Sequence, residues 1–393
     1  MKIIVLGGSG RVGKRVIDEL TTRSTHAVTV ADRDQPHFPV SHFVPLDLSD
    51  STGLAEAVAA HDVVVNTTGP FDRWGTTVLD AAITAEVDYV DVCDDPEATL
   101  GLLGRDDAAR RAGIRAVVGL GVSPGLTNYL GVVAARQLTE VDTVATFWGD
   151  SREGMDVETA TTYGTQLAAA FAGGRAAYTH LILQAAAEVP IWRDGAPVHE
   201  RAWRRGFRIR TSAGETGVYR MIGHPEPVTM PRTVPMSECI NIGTVNVVTD
   251  RMMLPLLDRV HDGDMTPDEA ITQLAQQLAA NPAALATTSQ GASLPRMIGA
   301  VATGRTGRQR CEVIAFPGGP VDGSMSLETA RPAVVGVLDI ADAPIGVHAP
   351  ESAFDAERFL TRYAQIYWDG AAPYLLDSAE SGLLTELDEA HRS

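Results

Sequence analysis

The chain has 393 residues, 45% of them hydrophobic and 21% charged, with 32 Lys and Arg against 50 Asp and Glu for a formal charge of −18. Charge that negative excludes nucleic acid and anionic membranes as partners, and no apolar run approaches the roughly 20 residues that span a bilayer. Three cysteines (Cys93, Cys239, Cys311) exclude a disulfide framework and offer no Cys/His spacing for a metal, so the composition reads as a cytoplasmic protein of two or three domains.

Apolar runs at 2–6, 26–31, 40–46, 62–66, 89–92 and 114–120 alternate with amphipathic stretches at 12–20, 52–60, 76–85 and 97–112. That alternation predicts an α/β domain of the Rossmann type, a doubly wound parallel sheet with helices on both faces. A glycine cluster directly after 2–6 marks the opening run as a buried strand and not a leader peptide. Gly8, Gly10 and Gly13, with Ser9, Arg11 and Val12 between them, fit Gly-x-Gly-x-x-Gly between a strand and a helix. In that setting the first glycine serves the tight turn, the second lets the backbone approach a pyrophosphate, and the third lets helix and strand pack closely. The free N–H groups and dipole of the helix then face the phosphate.

Asp32 ends the second strand, where a carboxylate takes the adenosine ribose 2′-OH and favours NAD. Arg33 beside it suits a 2′-phosphate or stacks on adenine, which keeps NADP as the alternative. Asp47 and Leu48 follow the third strand, either beside the adenine or as a plain turn. After the fourth strand come Asn66-Thr67-Thr68-Gly69-Pro70-Phe71. Ligands of an open α/β sheet bind outside its carboxyl edge, so Thr67, Thr68, Gly69 and Pro70 are expected to border the ribose and nicotinamide.

Beyond residue 130 the pattern predicts a strand at 141–148, a helical stretch at 158–188 interrupted at Gly173-Gly174, and strands at 190–193, 201–210, 217–222 and 239–248. Two helices are expected within 251–280. Strands at 296–303 and 309–316 are expected around a Gly304-Arg305-Thr306-Gly307 turn, followed by helices at 326–340 and 353–367 and a polar tail at 369–393.

The 66–71 segment, followed by Gly75 and then Tyr89-Val90-Asp91, resembles the saccharopine dehydrogenase-like oxidoreductases. Gly121-Val122-Ser123-Pro124-Gly125-Leu126-Thr127-Asn128, the 223–232 segment with His224-Pro225-Glu226-Pro227, and Gly346-Val347-His348-Ala349-Pro350-Glu351 are similar to segments of that family. The resemblance implies a Rossmann domain at 1–130, an inserted α+β domain for substrate binding and dimerisation at 131–325, and helices at 326–393 returning to the first domain. It also implies a homodimer that moves a hydride between an amine and an imine on an amino-acid or polyamine-like substrate. One branch instead reduces enoyl thioesters in trans, and a cofactor-binding redox sensor without chemistry is a further alternative.

Asp94 and Asp95 follow the fifth strand at the expected nicotinamide edge. They suit a substrate ammonium or a proton relay, while Asp95 also suits a helix cap ahead of Pro96. Cys93 reads as a packed thiol. Helix N–H groups near Asn128 suit a substrate carboxylate, or are simply capped. His224 is the histidine best suited to acid/base work, and Arg232 and Arg73 suit bidentate carboxylate binding. Thirty of the 32 basic residues are Arg; the two lysines, Lys2 and Lys14, flank the glycine loop, leaving neither a Tyr-x-x-x-Lys pair nor a Schiff-base lysine.

Overall fold

Ile3, Ile4, Val5 and Leu6 have no exposed surface and form the core of β1 (Lys2–Leu6). Burying each such side chain contributes about 1.5–3 kcal/mol. The computed structural model describes residues 1–149, 154–173, 176–212, 214–287, 297–321, 324–378 and 382–387. Contacts divide the chain into two units. The first comprises Met1–Val133, Val228–Val234 and Pro317–Tyr374; the second comprises Ala134–Pro227, Pro235–Phe316 and Leu375–Ser393.

In the first unit β1 leads through α1 (Arg11–Arg23), β2 (Ala27–Asp32), β3 (Phe43–Pro45), α2 (Ser51–Ala59), β4 (Val63–Asn66), α3 (Phe71–Thr84) and β5 (Asp88–Asp91). There follow α4 (Pro96–Leu103), α5 (Asp106–Ala112), β6 (Arg115–Val117) and α6 (Leu126–Ala135). The expected single helix over 97–112 is two, parted at Gly104, where the backbone of α4 ends.

The second unit opens with β7 (Glu140–Trp148), α7 (Val157–Ala172) and α8 (Ala176–Ala186). It continues with β8 (Glu188–Arg193), β9 (Ala196–Arg201), β10 (Gly206–Thr211), β11 (Gly214–Glu215), β12 (Tyr219–Met221), α9 (Glu226–Thr229) and β13 (Glu238–Gly243). Next are α10 (Val247–His261), α11 (Pro267–Ala280), β14 (Ile298–Thr306) and β15 (Gln309–Phe316). The chain then re-enters the first unit as α12 (Met325–Leu338), β16 (Gly346–His348), α13 (Pro350–Ala353) and α14 (Ala356–Tyr367). It closes with β17 (Tyr374–Ser378) and β18 (Leu384–Glu386).

The first sheet runs β16-β6-β5-β4-β1-β2-β3, with every pairing parallel. Leu6 pairs with Asn66 and Asn66 with Asp91, so β1, β4 and β5 end level and their following loops share one edge. α12 packs on α1, and Tyr129 of α6 stacks on Phe359 of α14 with ring centroids 4.1 Å apart. The seventh strand, β16, lies outside the sequence expectation for 326–393, which held two helices and a polar tail.

The second sheet runs β11-β10-β12-β13-β7-β14-β15-β17, with β18 on β10 and β8 between β13 and β9. β13 pairs with β7 in parallel. Helices α7, α8, α10 and α11 share a core around Phe171, Ile182, Met253 and Leu274, and the sheet supplies another around Phe147, Phe207, Ile240 and Phe316.

Four expectations are corrected here. The 201–210 strand breaks around Trp203, whose φ is +62°, into β9 and β10. The 239–248 strand stops at Gly243 because Asn246 caps α10, its side chain accepting from Val248 N. The 304–307 turn shifts onward, since Gly304, Arg305 and Thr306 pair with Cys311, Arg310 and Gln309; Arg296 of that expected hairpin lies outside the described residues. The polar tail holds β17 and β18, because Leu376, Leu383 and Leu384 pack against the sheet core; 379–381 and 388–393 lie outside the described residues, as does Gly174. No described helix is long and apolar enough to cross a membrane.

Candidate active site

The glycine turn is shaped by backbone and contacts together. The positive φ falls on Gly7, at +73°, and not on Gly8, which was expected to serve the tight turn. Gly8 is required for another reason: a Cβ there would stand 2.5 Å from Val30 Cγ1 of β2. A Cβ on Gly13 would stand 2.4 Å from Gly7 O and 2.7 Å from Gly8 Cα, so the third glycine lets α1 close on the loop. The helix receives no side-chain cap at Gly10, and its first intrahelical bond runs from Lys14 N to Gly10 O. The N–H groups of Arg11, Val12 and Gly13 therefore precede any acceptor of their own helix, the arrangement that takes a phosphate.

Asp32 braces that turn. One carboxylate oxygen accepts from Ser9 N at 3.0 Å and the other from Arg33 N at 2.8 Å, and Ser9 Oγ donates to Asp34 O at 2.8 Å. Asp47, at the end of β3, accepts from Ser49 N and Ser49 Oγ at 2.9 and 2.8 Å. These two bonds hold its carboxyl below the usual range, and the positive charges of Arg33 and Arg73 add to the effect. Leu48 beside it is half-buried. Arg73 rests over the Trp74 ring, 4.3 Å from its centroid. Its charge acts on Asp47.

At the ends of β4 and β5 lies a buried chain of hydrogen bonds. Thr68 N donates to Asn66 Oδ1 at 3.0 Å, and Thr68 Oγ1 donates to the same oxygen. Asn66 Nδ2 donates to Tyr89 OH at 3.0 Å, and Tyr89 OH to Asp91 Oδ2 at 2.8 Å. Asp91 Oδ1 accepts from Cys93 N at 3.0 Å and Gly119 N at 2.6 Å. Asn66, Tyr89 and Asp91 are completely buried, while Thr67 and Thr68 are half-buried and Gly69 and Pro70 exposed. Burial pushes the Asp91 carboxyl up to about 6, against the three donors that hold it down. Asp91 was read only as part of a motif; the signal that marks it is that two buried apolar strands, Val63-Val64-Val65 and Tyr89-Val90, each end on a polar residue.

Asp94 is half-buried, and its charge acts on Asp91. Asp95 caps α4, accepting from Ala98 N at 2.7 Å. The Cys93 thiol is buried and accepts from Thr99 Oγ1, and burial pushes its pKa well above the ordinary thiol value, as suits a packed thiol.

The segment leading into α6 satisfies itself. Leu126 N and Thr127 N donate to Gly121 O and Val122 O, and Gly125 N donates to Asn128 Oδ1 at 2.8 Å. The helix N–H groups expected to hold a substrate carboxylate are occupied by this turn. Asn128 is completely buried; its Nδ2 donates to Glu351 Oε2 at 2.8 Å and to Thr229 Oγ1 at 3.3 Å. Asn128 thus fastens the 228–234 segment and α13 to α6. On that segment Arg232 is exposed, with Nε donating to Val228 O at 3.1 Å and the outer guanidinium nitrogens free among the described residues.

His224 belongs to the second unit. It is buried beside Trp148, with ring centroids 5.6 Å apart, and its Nδ1 lies 3.6 Å from Glu226 Oε2. Glu226 has no exposed surface and accepts from Asn241 Nδ2 at 3.0 Å; Asn241 accepts from Trp148 Nε1 at 2.9 Å. Glu226 was read only as part of the His224 segment, and Asn241 went unnoticed because it lies on a separate element, β13. Lys14 is paired with Asp18 at 2.6 Å and Lys2 sits exposed at the start of β1. Among the described residues no cluster of His, Cys, Asp or Glu could hold a metal ion.

Residues 3–117 match the family described as saccharopine dehydrogenase NADP binding domain. The fold as a whole is similar to that of apo saccharopine dehydrogenase (L-Glu forming) from Saccharomyces cerevisiae, with a TM-score of 0.61 at 15% identity over 96% of this chain and 99% of that one. A Rossmann-fold NAD(P)-binding family protein from Shigella flexneri matches 30% of this chain and 66% of its own, at 20% identity and a TM-score of 0.26.

Proposed function

From the match of residues 3–117 to the saccharopine dehydrogenase NADP binding domain, we propose that this chain is a saccharopine dehydrogenase-like, NAD(P)-dependent oxidoreductase that interconverts an amine and an imine on an amino-acid or polyamine-like substrate. The observation that carries this reading is the pair of carboxylates at the end of β5, Asp91 buried and Asp94 half-buried. Their negative charge stands at the sheet edge beside the 66–71 loop and suits an ammonium or iminium, while no lysine is placed to form a Schiff base.

The turn residues fit the cofactor. The N–H groups of Arg11, Val12 and Gly13 would take the pyrophosphate, Asp32 the adenosine ribose, and the 66–71 loop the nicotinamide ribose. Asp32 favours NAD, and Arg33 with Arg73 supplies the positive charge that NADP requires. When bound, the nicotinamide supplies or takes the hydride at the carbon of the C–N bond. Asp94 holds the proton that the substrate nitrogen loses on oxidation or regains on reduction. Arg232 anchors a substrate carboxylate through its free guanidinium nitrogens, and Asn128 fixes the segment that carries Arg232; within the second unit, His224 with Glu226 is a further acid/base candidate.

The test is a binding comparison of NAD+, NADP+ and their reduced forms, followed by absorbance at 340 nm over a panel of amino acids, polyamines and 2-oxo acids with amines. Turnover of at least one C–N substrate is expected, abolished or cut by about 10²-fold or more in Asp94→Asn. Turnover of an unsaturated thioester alone would replace the reading with enoyl reduction. Tight binding with no absorbance change on any substrate would leave a sensor.

A further inference from the structure

The buried chain at the ends of β4 and β5 has a direction set by its chemistry. Thr68 N–H points at the Asn66 side chain from 3.0 Å, so the atom it meets must be the amide oxygen and the Asn66 amide has one orientation. Asn66 Nδ2 then donates to Tyr89, whose single proton goes to Asp91 Oδ2. Asp91 Oδ1 is already filled by two backbone N–H groups, from Cys93 and Gly119. Thr68 Oγ1 gives its only proton to Asn66 Oδ1, and Thr67 Oγ1 gives its own to Leu6 O at 2.7 Å. A hydroxyl has one proton and two lone pairs, so both threonines turn their protons inward. Both also lie against the glycine turn: a Cβ on Gly7 would stand 2.9 Å from Thr68 Cγ2, and one on Gly13 2.8 Å from Thr67 Oγ1. Thr68 is the half-exposed end of a chain whose other members are sealed from solvent.

We propose that Asp91 is a positioning residue that, through Tyr89 and Asn66, presents the Thr68 hydroxyl to the bound dinucleotide purely as a hydrogen-bond acceptor. Residue 68 then selects a donor group of the cofactor, a ribose hydroxyl or the carboxamide NH2, and gives nothing to a phosphate oxygen. Phosphate recognition is left to the backbone N–H groups at the start of α1. The proposal rests on the 66–71 loop bordering the ribose and nicotinamide, and it is independent of the reaction at the C–N bond.

Calorimetric titration of the full chain with its preferred reduced dinucleotide, with ADP-ribose and with AMP tests it, using Thr68→Val, Tyr89→Phe and the double variant. Each single change is expected to weaken the dinucleotide roughly fivefold to tenfold and leave AMP unchanged. The double variant is expected to bind no more weakly than Thr68→Val alone, since the two act through one contact. A parallel loss with ADP-ribose assigns the acceptor to the ribose hydroxyl, and no loss assigns it to the carboxamide. Equal weakening of AMP and dinucleotide, additive losses in the double variant, or unchanged dinucleotide affinity in Thr68→Val overturns the proposal. Thr68→Val, at a half-exposed position, decides the matter even if Tyr89→Phe does not fold. Failure of the amine/imine reading appears in the substrate panel and leaves these titrations as they are.

Discussion

At the scale of single residues, Asp91 carries an opposition between burial and hydrogen bonding. Burial is the larger cause and lifts its carboxyl to about 6, aided by the charge of Asp94; Gly119 N, Cys93 N and Tyr89 OH pull the other way. Tyr89 and Cys93 are themselves pushed well above their ordinary values, so neither ionises in this range. An acid with a folded pKa above its unfolded value contributes stability in full only below about pH 4, and loses it as pH rises through about 6. Asp91→Asn should therefore flatten the pH dependence of the urea midpoint between about pH 4.5 and about pH 7.5; identical slopes in both proteins would remove Asp91 from the account. Asp32 makes a second residue-scale prediction. Asp32→Ser removes the charge that repels a 2′-phosphate and leaves Arg33 and Arg73 beside Asp47, so the ratio of NADP+ to NAD+ affinity should rise by about tenfold or more. An unchanged ratio in a binding titration would mean that Asp32 does not face the adenosine ribose.

At the scale of elements, the junction of β1 with α1 was legible because each of its requirements is local. A four-residue apolar run, three spaced glycines and an amphipathic helix announce themselves within residues 3–20. Gly13→Ala tests how tightly that junction is drawn. Its new Cβ would meet the Gly7 carbonyl and Gly8 Cα, both backbone, so the expected cost is about 1–3 kcal/mol, seen as a lower unfolding midpoint together with weaker dinucleotide binding. An unaltered midpoint would show that α1 can retreat freely. The Asp95 cap was readable in the same local way, from the Pro96 beside it. The chain from Thr68 to Asp91 was not, because adjacency of Asn66, Tyr89 and Asp91 arises from the parallel register of β4 and β5, and register is set by packing that one sequence does not display. The turn before α6 was left open between carboxylate binding and capping for a related reason: its N–H groups are consumed by Gly121, Val122 and Asn128, and a count of helix-starting residues cannot show which carbonyls stand nearby.

At the scale of the whole molecule, each unit depends on chain that arrives late. The six strands β1 to β6 were read from the apolar runs and the helical stretches between them, while Gly346-Val347-His348 offered no alternation and contains a glycine; it becomes a strand because β6 presents an open edge, with Gly346 opposite Arg115. β18 likewise joins β10, placing Glu386 against Arg205 at 2.7 Å, while Glu312 accepts from Leu383 N. A chain ending at Ser378 should lose about 1–3 kcal/mol from the second unit and keep dinucleotide binding in the first, a difference that calorimetry with and without cofactor resolves; loss of binding in the shortened chain would count against it. The buried Arg220–Asp250 contact, 2.8 Å and shared with Trp203 Nε1, should cost more, about 3–5 kcal/mol for Asp250→Ala. The place of β16 has a consequence for biosynthesis. As the polypeptide leaves the ribosome, β6 emerges with one flank unpaired, and the three residues that cover it follow only after residues 118–345, most of the second unit among them, have been translated. During that interval the exposed flank is a template for intermolecular strand pairing. The nascent protein is therefore expected to be most vulnerable to aggregation, and most dependent on chaperones, in the window between translation of residue 117 and residue 348.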